Sequence, residues 1–214
     1  MIKIVRDLKL PFYLTGGTAL SRFYFNYRYS DDLDFFVNKD PHFKDYVRLF
    51  SGYFETPPPG IKCKINTERI IITENYAQFF IFQEDAEMKI DFVNDISLRY
   101  DDVVISEKLG RIDSLKNILT NKISALYRFE IKDYVDIWCI SKNYIFNWRD
   151  IIKESKRKEA SIDPLEIINL FRTFPFEKLD LIKWSNPVDY NQLKTDFFII
   201  ADDILNGRNN SLSI

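Results

Sequence analysis

Histidine, cysteine and glycine are scarce in this chain of 214 residues, and each scarcity narrows the chemistry. His42 is the single histidine and directly precedes a helical stripe, which reads as a surface position at a helix cap and argues against histidine-based catalysis. Cys63 and Cys139 lie far apart with no His or Cys at ligand spacing, so neither a zinc site nor a disulfide framework is indicated. Two reduced cysteines fit a cytosolic protein. Charge of one sign is lacking too: 30 Lys and Arg against 32 Asp and Glu leave a net charge of −2, so a polyanion has to be met by a local patch or through bound cations. No apolar run approaches the roughly 18 residues of a membrane span, and the opening MIKIVRDLKL carries charges throughout. The expectation is a soluble, cytoplasmic chain with no membrane partner. Against six glycines stand 19 Phe and 12 Tyr in a chain that is 46% hydrophobic, enough for one sizeable core or a core with a smaller appended domain.

FYLT (12–15) reads as a compact strand, followed by Gly16-Gly17 and then by ALSRFYF at helical spacing: strand, glycine turn, helix start. DLDFFV (32–37) is a second strand, and Phe43, Tyr46, Val47, Phe50 and Phe54 form a helical stripe ended by TPPPG. CKIN, RIIIT, AQFFIFQ and MKIDFV predict three or four mostly antiparallel strands, the mixed unit ending near Asp101. From Ser114 the period changes to one long helix running through Ile140, with further helices at NWRDIIKESKRKE and at DPLEIINLFRTF, the last capped by Asp163 with Pro164 at its first position. The tail NGRNNSLSI reads as frayed. The predicted fold is α+β: a mixed sheet with flanking helices over residues 1–110, followed by a helical region over 111–214.

Asp32 and Asp34 are two apart in a strand, so the pleat sends both to one face, while Asp31 reads as a solvated residue at the strand entry. In MKIDFV the same alternation puts Lys89, Asp91 and Val93 on one face, so a third carboxylate is available from a neighbouring strand. Two like charges 4 Å apart cost about 4 kcal/mol at an effective dielectric of 20. A compensating cation is therefore expected, and oxygen ligands suit magnesium or manganese, which serve in-line phosphoryl displacement. Alternating strands also expose acids at solvated faces, so the pair alone does not decide; Gly16-Gly17-Thr18 adds free backbone N–H groups at a helix start, which favour bound phosphate.

LTGGTAL (14–20), RYSDDLDF (28–35), KIDF (89–92) and KISALYRFEIKDYVD (122–136) together resemble the AbiEii/AbiGii-type nucleotidyltransferases, toxin components of abortive-infection toxin–antitoxin systems. The resemblance spans about residues 12–140. It implies a polymerase-β-like core, a helical C-terminal region, a cognate antitoxin as partner, and transfer of a nucleoside monophosphate from an NTP to an acceptor, in some members tRNA. It further implies that Gly16, Gly17 and Thr18 cradle the triphosphate, that Asp32 and Asp34 bind magnesium or manganese, and that Asp91 assists the metal or acts as base. Arg28 and Ser30 would reach phosphate oxygens. Many relatives carry Lys at the position of Thr15, a departure that bears on the turn and leaves the metal ligands unaffected.

Lys122, Phe129, Asp133 and Asp136 fall on one face of a continuous helix. They read either as an ion pair within the helical region or, as the resemblance implies, as a triphosphate contact by Lys122 with Asp133 orienting it. Arg149, Lys153, Lys156, Arg157 and Lys158 form a basic run diluted by Asp150, Glu154 and Glu159, which fits a solvated face or an RNA contact. The acceptor stays open between tRNA, a protein hydroxyl and a small molecule, with a silent nucleotidyltransferase-like binding module as a further alternative.

Overall fold

The computed structural model describes residues 1–213, and the chain divides into two compact units. The first comprises Met1–Ala19 and Ser30–Ser114; the second comprises Leu20–Tyr29 and the chain from Leu115 onward. A break was expected at residue 110; the first unit runs on to Ser114, because the last strand of its sheet spans Gly110–Ile112.

The first unit holds α1 (Ile2–Asp7), β1 (Tyr13–Thr15), α2 (Gly16–Ala19), β2 (Leu33–Asn38), α3 (Phe43–Gly52), β3 (Lys64–Ile65), β4 (Ile71–Ile72), β5 (Tyr76–Gln83), β6 (Ala86–Asp95), β7 (Val104–Ser106) and β8 (Gly110–Ile112). The sheet is mixed and runs β3-β5-β6-β2-β1-β8-β7, with β4 also on β5. β1 pairs antiparallel with β2, β2 parallel with β6, and β6 antiparallel with β5. β7 and β8 lie past Asp101, where no strand was expected, and β8 extends the sheet through a single parallel register pair, Leu14 with Ile112. Three-residue strands give too short a period to be read from sequence.

Alternation decides which face is core. Leu33, Phe35 and Val37 are buried while Asp34 and Phe36 are less so, and Ile90 with Phe92 repeats the pattern on β6. α3 covers this apolar face with Phe43, Val47 and Phe50; the Phe50 ring lies 4.7 Å from Phe92 and 5.6 Å from Phe79. Each such buried ring contributes about 1.5–3 kcal/mol, and the opposite pleat face is left to polar residues. His42 sits at the N-cap of α3 and is exposed, as expected.

The second unit is helical: α4 (Leu115–Ala125), α5 (Ile131–Asn143), α6 (Trp148–Lys158), α7 (Pro164–Arg172) and α8 (Tyr190–Asn206). Asp163 accepts from the Leu165 amide at 2.9 Å with Pro164 first in α7, as expected. Phe171 and Phe174 pack on Phe197 of α8 at 5.2 and 4.8 Å. Three expectations are corrected. The long helix is two: after a 3-10 turn, Phe129 adopts φ +58° and α5 begins anew. α8, unassigned from sequence, is the longest helix among the described residues. The tail is tied down, since Asn210 is buried and donates to the carbonyls of Ser141 (2.6 Å) and Tyr144 (3.1 Å), while the Ser211 amide donates to Asp203 (2.7 Å). Among the described residues, no helix is long and apolar enough to cross a membrane.

Candidate active site

On the polar face of the sheet the register lays out a row. Thr15 pairs with Asp34, Asp34 with Asp91, and Asp91 with Gln78, so one residue from each of β1, β2, β6 and β5 stands side by side. Paired positions share a face, and neighbouring strands are about 4.8 Å apart, so Asp34 and Asp91 are brought together by the backbone itself. Asp32 lies just before β2, half-buried, and Asp31 is exposed.

The turn after β1 is fitted to this row. Gly16 has φ +65°, and a Cβ built there would stand 2.6 Å from Asp34 Oδ2. A side chain at position 16 is excluded twice, by backbone conformation and by the carboxylate. Thr18, expected as a triphosphate contact, is fully buried, and its hydroxyl donates to the Asp32 carbonyl, so it fixes the backbone leading into β2. Thr15 is buried as well and donates from Oγ1 to Asp113 Oδ2 at 2.6 Å. Gly17 is buried beside it, and Ser30 is half-buried on the approach to β2. The helix start expected at ALSRFYF continues as a π-helical turn over Leu20–Tyr24, with the Phe25 amide donating to Leu20 at 2.8 Å.

Asp91 is well supplied with donors. Tyr76 Oη and Gln78 Nε2 each donate to Oδ1 at 3.0 Å, and the Lys89 ammonium meets Oδ2 at 2.8 Å. Burial opposes the charge of Lys89, but Asp91 and, more weakly, Asp32 outweigh it and raise its pKa. Burial and the Asp91 charge push the Tyr76 phenol up to about 12, so it remains a donor. Lys89 and Asp91 sit two apart on β6, so the pairing follows from the alternation; the missing step in the sequence reading was to ask which cation on that face offsets the acids.

The second unit carries a separate ionic network. Lys122 Nζ lies between Asp133 Oδ1 (2.7 Å) and Asp136 Oδ2 (2.6 Å). Arg28 grips Asp136 with Nε at 2.7 Å and Nη2 at 2.9 Å, Tyr27 donates its hydroxyl to the same carboxylate, and Arg128 meets Asp133 at 3.1 Å. Both carboxylates have fully buried side chains. Burial alone would raise the Asp136 pKa, yet Lys122 and Arg28 hold it below the usual carboxylate range, and Lys122 is raised in turn. Arg28, expected at phosphate oxygens, is thus placed on Asp136. Phe129, expected on the same face, is 66% exposed, and the network closes across the bend between α4 and α5 instead of along one helix. The segment 20–29 joins this unit through Arg28, the Tyr29 amide to Lys183 (2.8 Å) and the Ser185 amide to Tyr27 (3.0 Å).

Hard carboxylate oxygens on one pleat face are the donor type a magnesium or manganese ion takes. Among the described residues no three His, Cys, Asp or Glu side chains converge as a ready cage. Asp32 and Asp34 fit an ion that draws its remaining ligands from substrate phosphate and water, the usual manner of magnesium.

The fold is shared with the Helicobacter pylori protein JHP933, whose crystal structure is similar at a TM-score of 0.59 and 22% identity, covering 94% of this chain and 89% of that one. A second Helicobacter pylori structure matches at TM-score 0.56 and 22% identity, covering 94% and 92%. MenT4, a nucleotidyltransferase toxin from Mycobacterium tuberculosis H37Rv, matches at TM-score 0.49 and 12% identity, covering 94% and 83%. Among curated proteins none matches. The family model for the nucleotidyl transferase AbiEii toxin of type IV toxin–antitoxin systems matches residues 4–206, nearly the whole chain, and the chain belongs to that family.

Proposed function

We propose that this toxin-family chain transfers a nucleoside monophosphate from an NTP to a tRNA acceptor in a magnesium- or manganese-dependent reaction, and that a cognate antitoxin restrains it. The observation that carries the reading is the register of Asp34 beside Asp91, with Gly16 closed against the Asp34 carboxylate. Asp32 and Asp34 would hold the ion, which would supply charge neutralisation at the phosphate oxygens. Gly16 and Gly17 present backbone N–H groups to the triphosphate, and Ser30, two residues before Asp32 in sequence, reaches phosphate oxygens; Thr18 holds the Asp32 backbone through its hydroxyl. The acceptor oxygen bonds to the α-phosphorus as the bond to pyrophosphate breaks, and Asp91 orients that hydroxyl or receives its proton.

The nucleotide roles that the family resemblance gives Lys122, Asp133 and Arg28 form a separable part of the proposal, because each already has an ion-pair partner. A folded Lys122→Gln protein with undiminished NTP affinity removes that part and leaves the acid row untouched.

Incubation with magnesium, each labelled NTP in turn and total tRNA tests the main reading. Label is expected on tRNA from wild type and absent with Asp34→Ala. Label on protein or on a small-molecule hydroxyl replaces the acceptor, and no transfer to any of them, with Asp34→Ala as toxic as wild type in cells, overturns the enzymatic reading.

A further inference from the structure

Lys89 is the cation that meets the acid row, and its setting differs from that of an ordinary strand ion pair. Its ammonium lies 2.8 Å from Asp91 Oδ2, feels Asp32 as well, and faces the carboxylate that stands in register with Asp34. With Tyr76 and Gln78 on the other oxygen, Asp91 is supplied on both sides by the chain's own donors. An arriving divalent ion therefore meets a row whose charge is already partly neutralised, with no three-acid cage among the described residues to outweigh that. The lysine side chain is 31% exposed, and its four-carbon stem lets the head group move while β6 stays in place.

We propose that Lys89 is the resting counter-ion of the acid row and makes divalent-metal binding conditional on nucleotide. The inference rests on the metal-dependent reading above. A polyphosphate supplies both of the things the resting row lacks: extra oxygen ligands for the ion and a new anionic partner for the displaced ammonium. Metal and NTP then load together, and the empty protein binds the free ion weakly.

Calorimetric titration of the full chain with Mn²⁺, with and without a non-hydrolysable NTP analogue, tests this on wild type, Lys89→Met, Lys89→Arg and Asp34→Ala. Wild type is expected to bind Mn²⁺ weakly alone and at least about tenfold more tightly with the analogue, since a neighbouring like charge at low effective dielectric opposes the ion. Lys89→Met should bind Mn²⁺ about tenfold more tightly than wild type without nucleotide and lose most of the nucleotide dependence. Lys89→Arg keeps the charge and should keep the conditional behaviour, which serves as the reading if the methionine protein does not fold. Nucleotide-free affinity of Lys89→Met within twofold of wild type overturns the inference, as does an arginine protein that binds the free ion tightly. Wild type that binds Mn²⁺ with the analogue while Lys89→Met behaves the same leaves the metal reading standing. Absence of Mn²⁺ binding in every protein, or wild-type affinity in Asp34→Ala, removes both.

Discussion

Two groups of acids, each met by basic side chains, distinguish the two units. In the second unit Asp133 and Asp136 have no exposed side-chain surface, and Lys122, Arg28 and Arg128 are set around them, with Lys122 only 11% exposed. In the first unit Asp91 and Lys89 remain 13% and 31% exposed, and Asp34 in the same row and Asp32 just before β2 are half-buried. Full burial makes the first kind of cluster expensive to break, because a lone charge left inside has no water to turn to. Partial exposure makes the second kind adjustable, since cations from solvent can reach it. Removing one partner from the buried network is therefore expected to cost stability, whereas the open row suits the binding role proposed for it.

The largest expected effect falls on the buried side. Asp136→Asn leaves Lys122 and Arg28 short of a counter-charge and should destabilise the protein by about 3–5 kcal/mol, read as the urea midpoint of the second unit's unfolding. The sign of the pH dependence follows from the depressed pKa of Asp136: its stabilisation is present above the unfolded value, about 3.9, and is lost as pH falls through the lower folded value. Wild type should lose stability below about pH 4, and the Asn variant should lose less over the same window. A variant as stable as wild type would place the network's contribution elsewhere.

On the open side the effect should appear in turnover and leave the fold nearly intact. Asp34→Ala is expected to reduce labelled transfer by about 10²–10³-fold or more, with a melting temperature close to or above that of wild type because a mutual repulsion is relieved. A large loss of stability in this variant would mean the row holds the sheet together and erase the contrast between the two groups. Gly16→Ala tests the geometry of the open row: a Cβ at 2.6 Å from Asp34 Oδ2 with φ +65° should cost about 1–3 kcal/mol of stability and a larger share of activity, since the strain is delivered to the carboxylate. Equal activity at reduced stability would show that the turn can relax without moving Asp34.

The open row was legible in the sequence for a physical reason. Strand alternation is fixed at a period of two, so Lys89 and Asp91 could be assigned to a common face before any tertiary information, whereas Asp32, read into one strand with Asp34, lies just before β2. Register was not legible, because which residue of β6 stands opposite Asp34 depends on the whole sheet. β7 and β8 were hidden because three residues carry no pattern, and α8 was left unassigned from sequence. Thr18 was expected in the phosphate cradle through its backbone N–H, and only the fold reveals that its hydroxyl is taken by the Asp32 carbonyl. In the second unit Lys122, Asp133 and Asp136 were identified together, but without Arg28, Tyr27 and Arg128 and on a helix that does not continue; one residue in the left-handed region is invisible to periodicity.

That residue gives the smallest effect and the sharpest check on how the buried network is assembled. Phe129 is 66% exposed, so its ring contributes little burial, while φ +58° is a conformation that a side chain with Cβ adopts at a cost. Its role is then to turn the chain so that Asp133 and Asp136 reach back to Lys122 across the bend. Phe129→Gly keeps the turn and removes the strain, and should stabilise the protein by about 0.5–1 kcal/mol, offset in part by the greater freedom of glycine in the unfolded chain. Phe129→Val, β-branched and poorly suited to positive φ, should destabilise by about 1–2 kcal/mol. The ordering Gly above Phe above Val in urea midpoint supports a bend set by backbone conformation. If Gly instead destabilises as Val does, the exposed ring is itself holding the bend, and the closure of the ionic network rests on a contact rather than on a dihedral angle.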